Sequence, residues 1–299
     1  MEYKIFIKGK FLPAKKAKIS IQDTGFLFGY GLFETMRSYE GFVYRLEEHI
    51  KRLSFSADFL KIPLPFPGAT ISETIQKALS INNLYDAYIK LILSGGIYTG
   101  KISQAPSEPN FIIQTLPFVP YPDNWYKEGI KASIASIKKS SSSFIYTHKT
   151  LNFLENIIAK REAEEKGYQE AIFLNTEGFL TEGSTSNIFI VKKGKVITPS
   201  LSSGILPGVT RSVILALCNQ QSIPFEEKKV KPEELLKADE AFLTNSLREV
   251  IPLARVNSCT IGKGEVGDIT KVLMKEYKKD IHSSKAKTNL LKFPQDAEH

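Results

Sequence analysis

Alternating and helical patterns of hydrophobic residues divide the first part of the chain into strands and helices. Residues 3–13 alternate around a Lys-Gly-Lys turn at 8–10, which predicts an opening β-hairpin. Apolar residues then recur at a near-helical period, which predicts helices over residues 46–60 and 72–81. Further apolar runs predict strands over residues 88–93 and 111–116. Together these segments predict a small α+β unit.

A proline-rich stretch ends this unit. Residues 117–122 contain three prolines, which favour an extended connection and cannot continue a helix. We therefore predict a small N-terminal domain over residues 1–118, a linker over 119–125 and a larger domain over 126–282. Residues 283–299 are polar and are predicted to form a fraying tail.

The larger domain shows the same mixture of patterns. An apolar helix face begins near Leu151 and ends at Gly167, a residue type that suits a helix C-terminus. Strands are predicted over residues 170–174, 186–191, 195–198 and 241–244, and helices over residues 210–218 and 269–281. The predicted fold class is therefore α+β, with a small α/β domain followed by a larger mixed domain.

Composition narrows the class of protein. With 299 residues, 42% of them hydrophobic, the chain can bury a large core and is too apolar for a disordered protein. The two cysteines, Cys218 and Cys259, lack a CxxC spacing, so we predict buried thiols and neither a disulfide framework nor a zinc site. The N-terminus lacks a secretory signal pattern, and no apolar stretch approaches about 18 residues. We expect a cytoplasmic protein without a membrane contact.

The net charge of +8 raises the question of a nucleic-acid partner. The basic pairs are dispersed along the chain, at Lys15-Lys16, Lys138-Lys139, Lys192-Lys193, Lys228-Lys229 and Lys278-Lys279. Dispersed lysines are typical of a solvated surface, so no nucleic-acid partner is expected. The positive field better suits the attraction of a small anionic substrate.

Several common catalytic motifs do not occur in the sequence, which contains no GxxxxGK[ST], HExxH or GxSxG pattern. The histidines are too scattered to predict a metal site, at His49, His148, His282 and His299. The remaining candidates are segments whose residue types suit pyridoxal phosphate (PLP). This cofactor needs a Schiff-base lysine, a partner for its pyridine nitrogen and a phosphate site.

Each of these segments also has an ordinary structural interpretation. Lys149 could be a surface lysine, and Glu182 could be an acid in a β-turn. Residues 205–211 could cap a helix, or could bind a phosphate through free backbone N–H groups and the helix dipole. Residues 244–246 could form a turn or donate to a phosphate. Arg52 could be a solvated helix residue or a bidentate phosphate ligand.

In this order along the chain, the segments resemble the fold type IV, or class IV aminotransferase, family of PLP enzymes, over roughly residues 3–281. The resemblance implies that Lys149 is the Schiff-base lysine and that Glu182, in EGSTSN, lies at the pyridine nitrogen. It implies a phosphate or cofactor contact for Arg52, Val209, Thr210, Asn245 and Ser246. Members of the family are commonly dimers with the active site between a small and a large domain. We therefore predict a PLP-dependent homodimeric enzyme.

The substrate side of the pattern favours one branch of the family. Phe33-Glu34-Thr35-Met36-Arg37 resembles the FET segment of 4-amino-4-deoxychorismate lyases, in which Thr35 would assist proton transfer and Phe33 and Arg37 would contact the substrate. The TNS sequence at 244–246 is similar to the same lyases. The resemblance implies release of pyruvate and 4-aminobenzoate for folate synthesis, with Lys149 carrying the proton.

Other activities stay open. Arg37 also resembles an arginine of the branched-chain aminotransferases, which would use Lys149 to exchange amino groups with 2-oxoglutarate. Ser94-Gly95-Gly96 departs from the Arg-Gly pair of D-amino-acid aminotransferases, which argues against that branch. A non-catalytic basic binding protein that keeps the fold is the remaining alternative, and intact Lys149, Glu182 and Arg52 count against it.

Overall fold

Two β-sheets organise the chain, the first with six strands and the second with nine. The computed structural model describes residues 2–103, 106 and 108–292, and of residues 288–292 it describes the backbone alone. The architecture is mixed α/β, as the sequence predicts. None of the helices in the described ranges has both the length and the apolar content that a membrane span requires.

The first sheet is built from the N-terminal part of the chain. Its strands are β1 (Lys4–Ile7), β2 (Lys10–Pro13), β3 (Gly31–Tyr39), β4 (Phe42–Val43), β5 (Ala87–Ser94) and β6 (Phe111–Pro117). They lie in the order β2-β1-β6-β5-β3-β4, and every neighbouring pair is antiparallel. The accompanying helices are α1 (Thr24–Phe28), α2 (Leu46–Phe59) and α3 (Gly68–Ile81). Apolar side chains of α2 and α3, such as Leu53 and Ile71, are buried in the core that covers this sheet.

The second sheet mixes parallel and antiparallel pairs. Its strands are β7 (Ile130–Lys139), β8 (Glu170–Asn175), β9 (Leu180–Gly183), β10 (Asn187–Lys192), β11 (Lys195–Pro199), β12 (Phe225–Lys228), β13 (Glu240–Asn245), β14 (Glu249–Val256) and β15 (Cys259–Thr260). Their order is β12-β11-β10-β13-β14-β7-β8-β9, with β15 paired to β14. The helices of this part are α4 (Asp123–Lys127), α5 (Leu154–Glu165), α6 (Val209–Gln220), α7 (Pro232–Leu236) and α8 (Asp268–Lys292). Helix α5 contacts β7 and β8, whereas α6 and α8 contact β13.

The elements with regular apolar periods are found where the sequence predicts them. The hairpin forms as β1 and β2, and the helix predicted over 46–60 is α2. Helix α3 begins at Gly68, directly after Pro67, rather than at residue 72. The sequence does not predict strands β3, β4, β7, β9, β12, β14 and β15. In β3 the polar side chains of Thr35 and Arg37 interrupt the apolar alternation.

Two expectations about the rest of the chain need correction. The predicted tail begins inside α8, which continues to Lys292 because residues 283–292 contain no Gly or Pro to end a helix; residues 293–299 lie outside the described residues. Cys259 is exposed, because it lies on the two-residue strand β15, whereas Cys218 is buried as predicted. The predicted linker lies between β6 and β7, and α4 begins within it.

Candidate active site

A cavity of about 300 Å³ is lined by residues from both sheets and their connections. Nine of the ten predicted site residues line it, namely Phe33, Thr35, Arg52, Lys149, Glu182, Val209, Thr210, Asn245 and Ser246. The tenth, Arg37, lies outside this lining. The fold therefore brings together segments that are up to about two hundred residues apart in the chain.

Lys149 lies in a short segment that extends the pairing of β3. The Phe33 N–H donates to the Lys149 carbonyl over 2.9 Å, and the Leu151 N–H donates to the Gly31 carbonyl over 2.9 Å. Burial, helped by the Arg52 guanidinium, lowers the pKa of the Lys149 amine to about 8 despite two nearby carboxylates. An amine with this pKa can act as a nucleophile and as a base near neutral pH.

Strand β9, which carries Glu182, and the turn that follows it enclose a second carboxylate, Glu170. The backbone N–H and the hydroxyl of Ser184 both donate to Glu170, and Arg248 pairs with it at 2.8 Å. Gly183 is required here, because a Cβ atom would lie 2.3 Å from a neighbouring serine hydroxyl. Small residues in this run therefore let the loop close tightly and point the Glu182 carboxylate at the cavity.

Glu182 shares a buried ion pair with a lysine that the sequence analysis assigned to the surface. Lys139 is 1% exposed, and its Nζ lies 2.9 Å from Glu182 Oε1. The other carboxylate oxygen accepts the Leu206 N–H at 3.1 Å and the Asn187 amide at 3.4 Å. The pair Lys138-Lys139 is thus divided by the alternation of β7, with Lys138 exposed and Lys139 inside.

Arg52 connects the first part of the chain to the second. Its Nε and Nη2 donate to the buried Glu34 carboxylate over 2.8 and 2.6 Å, and its Nη1 donates to the Pro207 carbonyl over 3.0 Å. Because a guanidinium has five N–H donors, it can still donate to an anion in the cavity. The sequence predicted Arg52 as an anion ligand and did not predict the carboxylate that holds it.

Helix α6 begins beside this guanidinium. The first backbone N–H groups of a helix have no partner within it and carry a partial positive charge. Gly208 precedes the helix, and a Cβ atom on it would lie 1.9 Å from Asn187 Oδ1, so glycine is required for this approach. We call this end of the cavity the cup, defined as Arg52, Val209, Thr210 and Ser246.

His49 joins the cup to the buried carboxylate. Its Nδ1 lies 2.7 Å from Glu34 Oε2, and its Nε2 lies 3.2 Å from Ser246 Oγ. The sequence analysis did not assign a role to this histidine. Its spacing was the available signal, since residues three apart on α2 place His49 and Arg52 on the same helix face.

Two other predicted cofactor residues use their side chains to shape the cavity wall. The Asn245 amide donates to the Thr185 carbonyl over 3.0 Å, and its Oδ1 accepts the backbone N–H groups of Leu247 and Arg248. The Thr210 hydroxyl hydrogen-bonds with Tyr277 of α8. Contacts from these two residues to a bound group therefore fall mainly to their backbone atoms.

The opposite end of the cavity is formed by β3 and β5. Thr35 lies directly across from Lys90 in the strand pair and hydrogen-bonds with Tyr88. The Phe33 ring lies 3.9 Å from the Lys90 amine and 4.4 Å from the Lys149 amine. Thr35, Tyr88, Lys90 and Phe33 all line the cavity, and sequence reasoning missed Tyr88 and Lys90.

Arg37 contacts residues behind this wall. It pairs with Glu249 at 2.9 Å, and its guanidinium packs over the Phe118 ring at 3.7 Å. Its Nη1 also approaches the Leu247 carbonyl at 3.4 Å. Its predicted contact with substrate stays a prediction, and in this structure Arg37 joins β3 to the loop that carries Ser246.

A family model described as amino-transferase class IV matches residues 31–256, which span every lining segment discussed above. The chain belongs to the class IV aminotransferase family. Within this family, the aminodeoxychorismate lyase of Bacillus subtilis is 34% identical over 93% of this chain and 94% of its own. The D-alanine aminotransferase of Bacillus licheniformis is 33% identical over 95% of this chain and 99% of its own.

A solved structure shows the same fold. The branched-chain amino acid aminotransferase of Escherichia coli superposes with a TM-score of 0.88 at 28% identity, covering 93% of this chain and 94% of the other. Class IV aminotransferases and their lyase relatives are PLP-dependent enzymes. This chain is therefore a PLP-dependent transaminase or lyase.

The residues of the cavity fit PLP. Lys149 supplies an amine, Glu182 a carboxylate for the pyridine nitrogen, and the cup a set of donors for a phosphate. Thr244 Oγ1 is buried at the cavity wall without a hydrogen-bond partner among the described residues, as expected for an atom that a bound group would satisfy. Within the same residues, no cluster of His, Cys, Asp or Glu is placed to hold a metal ion.

Proposed function

We propose that this class IV enzyme is a 4-amino-4-deoxychorismate lyase, which releases pyruvate and 4-aminobenzoate for folate synthesis. The observation that carries the proposal is the position of Thr35. Thr35 lines the same cavity as Lys149, from strand β3, and its side chain lies within hydrogen-bonding reach of Tyr88. A hydroxyl at this position can pass a proton to a leaving group, which an elimination requires.

Lys90 supports an anionic substrate. Its amine contacts the Phe33 ring, and no carboxylate among the described residues pairs with it. Burial lowers the pKa of Lys90, as expected for a cation that lacks a partner. A substrate carboxylate would supply that partner, and 4-amino-4-deoxychorismate carries carboxylates beyond the reacting carbon.

The residues of the cavity divide the proposed reaction among them. PLP, when bound, supplies the electron sink. Lys149 takes the proton from the carbon that bears the amino group, and its lowered pKa of about 8 makes the neutral amine available. Thr35 would relay this proton from the Lys149 ammonium to the departing enolpyruvyl group, which leaves as the enol of pyruvate and then tautomerises to pyruvate. The cup and Glu182 hold the two ends of the cofactor in register with the Lys149 amine.

The D-amino-acid branch receives no support from the end of β5. Ser94 Oγ donates to the buried Asp23 carboxylate over 2.5 Å, and Asn110 donates to the same oxygen over 2.6 Å. These side chains are engaged with one another. We therefore assign no substrate-carboxylate contact to Ser94.

A second candidate is a branched-chain aminotransferase. The fold match to the Escherichia coli enzyme, with its TM-score of 0.88, favours it. In that reaction Lys149 would remove and return the proton, and Thr35 would have no leaving group to protonate.

Two parallel assays distinguish these activities. Purified protein with PLP is incubated with 4-amino-4-deoxychorismate, and 4-aminobenzoate and pyruvate are measured; a second reaction contains valine and 2-oxoglutarate. We expect lysis without glutamate formation, and Lys149→Ala should abolish it. Glutamate formation without lysis would reject the lyase proposal.

The role of Thr35 is tested with a matched pair of variants. Thr35→Val keeps the shape and removes the hydroxyl, so the kcat of lysis should fall about 10²-fold or more. Thr35→Ser keeps the hydroxyl and should stay within about tenfold of wild type. Equal activity of the two variants would show that Thr35 only packs.

A further inference from the structure

We propose that His49 takes up a proton when the phosphate of PLP enters the cup, so that one buried imidazole links cofactor binding to pH. The proposal goes beyond the lyase assignment, because it rests on PLP binding and applies equally to a lyase or a transaminase. His49 touches Ser246 of the cup and is therefore a positioning residue.

The contact with Glu34 determines the protonation of one imidazole nitrogen of His49. Burial alone would raise the pKa of Glu34, but Arg52 and His49 lower it to about 2, so the carboxylate is ionised. An ionised carboxylate can only accept hydrogen bonds. His49 Nδ1, at 2.7 Å from Glu34 Oε2, therefore carries a hydrogen.

The Ser246 side then has two possible states. If His49 is neutral, Nε2 is an acceptor, and the Ser246 hydroxyl donates its single hydrogen to it across 3.2 Å. The serine then presents lone pairs to the cavity, which repel a phosphate oxygen. If Nε2 is protonated, it donates to Ser246 Oγ, and the serine hydrogen is free to donate to the phosphate. Every donor and acceptor is satisfied only in the second state.

The charges around His49 favour this change on phosphate binding. Burial lowers the pKa of His49, and Arg52 on its own helix and Lys149 across the cavity add to this effect, whereas Glu34 on β3 opposes it. The imidazole is therefore biased toward the neutral form before an anion enters. A phosphate dianion adds two negative charges beside Ser246 and favours the protonated form.

The test compares PLP with pyridoxal, which lacks the phosphate and whose aldehyde can react with Lys149 once its internal hemiacetal opens. Calorimetry in two buffers of different ionisation enthalpy, near pH 8, measures the protons taken up on binding. At this pH the phosphate is already a dianion, since its second pKa is about 6, and both ligands react alike with Lys149. In the wild-type protein, the binding of PLP should be accompanied by the uptake of nearly one proton more than the binding of pyridoxal. The substitution His49→Gln should remove this difference.

A direct measurement keeps the proposal testable if that variant does not fold. In ¹⁵N-histidine-labelled wild-type protein, the Nε2 signal of His49 should change from an unprotonated to a protonated shift when PLP binds and should not do so with pyridoxal. The Kd for PLP, relative to that for pyridoxal, should rise by up to about tenfold per pH unit between the two pKa values of His49. An unprotonated Nε2 in the PLP complex, with equal proton uptake for both ligands, would overturn the proposal.

Discussion

The lowered pKa of Lys149 has a measurable consequence for loading the cofactor. Because the neutral amine is the nucleophile, the apoenzyme should react with PLP faster as pH rises through about 8. The rate is followed by absorbance between about pH 7 and pH 9, where an ordinary lysine with a pKa near 10.4 would stay almost fully protonated. Lys149→Ala should show no such reaction. If the rate began to rise only above pH 10, this would contradict the lowered pKa of Lys149.

The lowered pKa of Lys149 also affects the free energy of unfolding. The unfolded chain binds a proton at Lys149 up to about pH 10.4, whereas the folded chain releases it near pH 8. Between these values the unfolded state holds more protons, so the contribution of Lys149 to the free energy of unfolding rises with pH. Below about pH 8 this lysine instead disfavours the apo fold.

Lys139 offers a contrast between two adjacent lysines. In Lys139→Met, Glu182 loses its buried partner, so the apo protein should lose about 3–5 kcal/mol of unfolding free energy in a denaturant titration. Lys138→Met removes the same charge from the exposed face of β7 and should change it by less than about 0.5 kcal/mol. Equal effects of the two substitutions would mean that the ion pair does not hold Glu182.

At the scale of single residues, the sequence was informative where several residue types had to act together. Lys149, Glu182 and Arg52 could each be ordinary, and their order along the chain made them candidates. His49 and Lys139 were missed, because an isolated histidine on a helix and a lysine beside another lysine have the pattern of a solvated surface. Their burial depends on carboxylates contributed by other strands.

At the scale of elements, the start of α6 depends on Gly208. In Gly208→Ala the new Cβ would collide with Asn187, whose amide also donates to the Leu206 carbonyl over 3.0 Å. The collision would break one or two of the hydrogen bonds that hold the start of α6 in place, at a cost of about 1–3 kcal/mol. Because the start of α6 forms part of the cup, PLP binding should weaken about tenfold or more in equilibrium titration. Gly68→Ala, at the first residue of α3, is the control, since its Cβ would meet only an isoleucine methyl, at 3.3 Å. If the PLP affinity of Gly208→Ala were unchanged, the close approach between Gly208 and Asn187 would not be needed for PLP binding.

Two of the strands that the sequence did not predict, β3 and β7, lie next to the chemistry. In β3, Thr35 faces the cavity where a core strand would carry an apolar residue, and Glu34 is buried on the other side. In β7 the last buried position is Lys139. Hydrophobic alternation fails at such strands because polar side chains occupy interior positions and find their partners through tertiary contacts.

At the scale of the molecule, an exposed aromatic patch is a candidate for the predicted homodimer. Phe55, Phe59 and Phe144 are at least half exposed, and the Phe59 ring stacks on His148 at 4.4 Å and contacts the Phe144 ring at 5.6 Å. Clustered apolar surface of this kind is typical of an interface. Because Phe55 and Phe59 extend from the helix that carries Arg52, a partner here would lie close to the cup.

Light scattering tests this expectation. The wild-type protein should have the mass of a dimer, and Phe59→Asp should shift it to the monomer by burying a charge in the interface. Val119→Asp, at a site 77% exposed and outside the aromatic patch, is the control and should stay dimeric. A monomeric wild type would reject the homodimer.

The hydrogen bond between the Phe33 N–H and the Lys149 carbonyl has a consequence for biosynthesis. It closes a loop of more than a hundred residues, and the cup is complete only when Ser246 is present. A growing chain that has left the ribosome only as far as β12 already contains Lys149, Glu182 and Arg52, but it lacks one side of the cup. Stable loading of PLP therefore requires synthesis of the chain through Ser246, which lies more than four fifths of the way along this sequence.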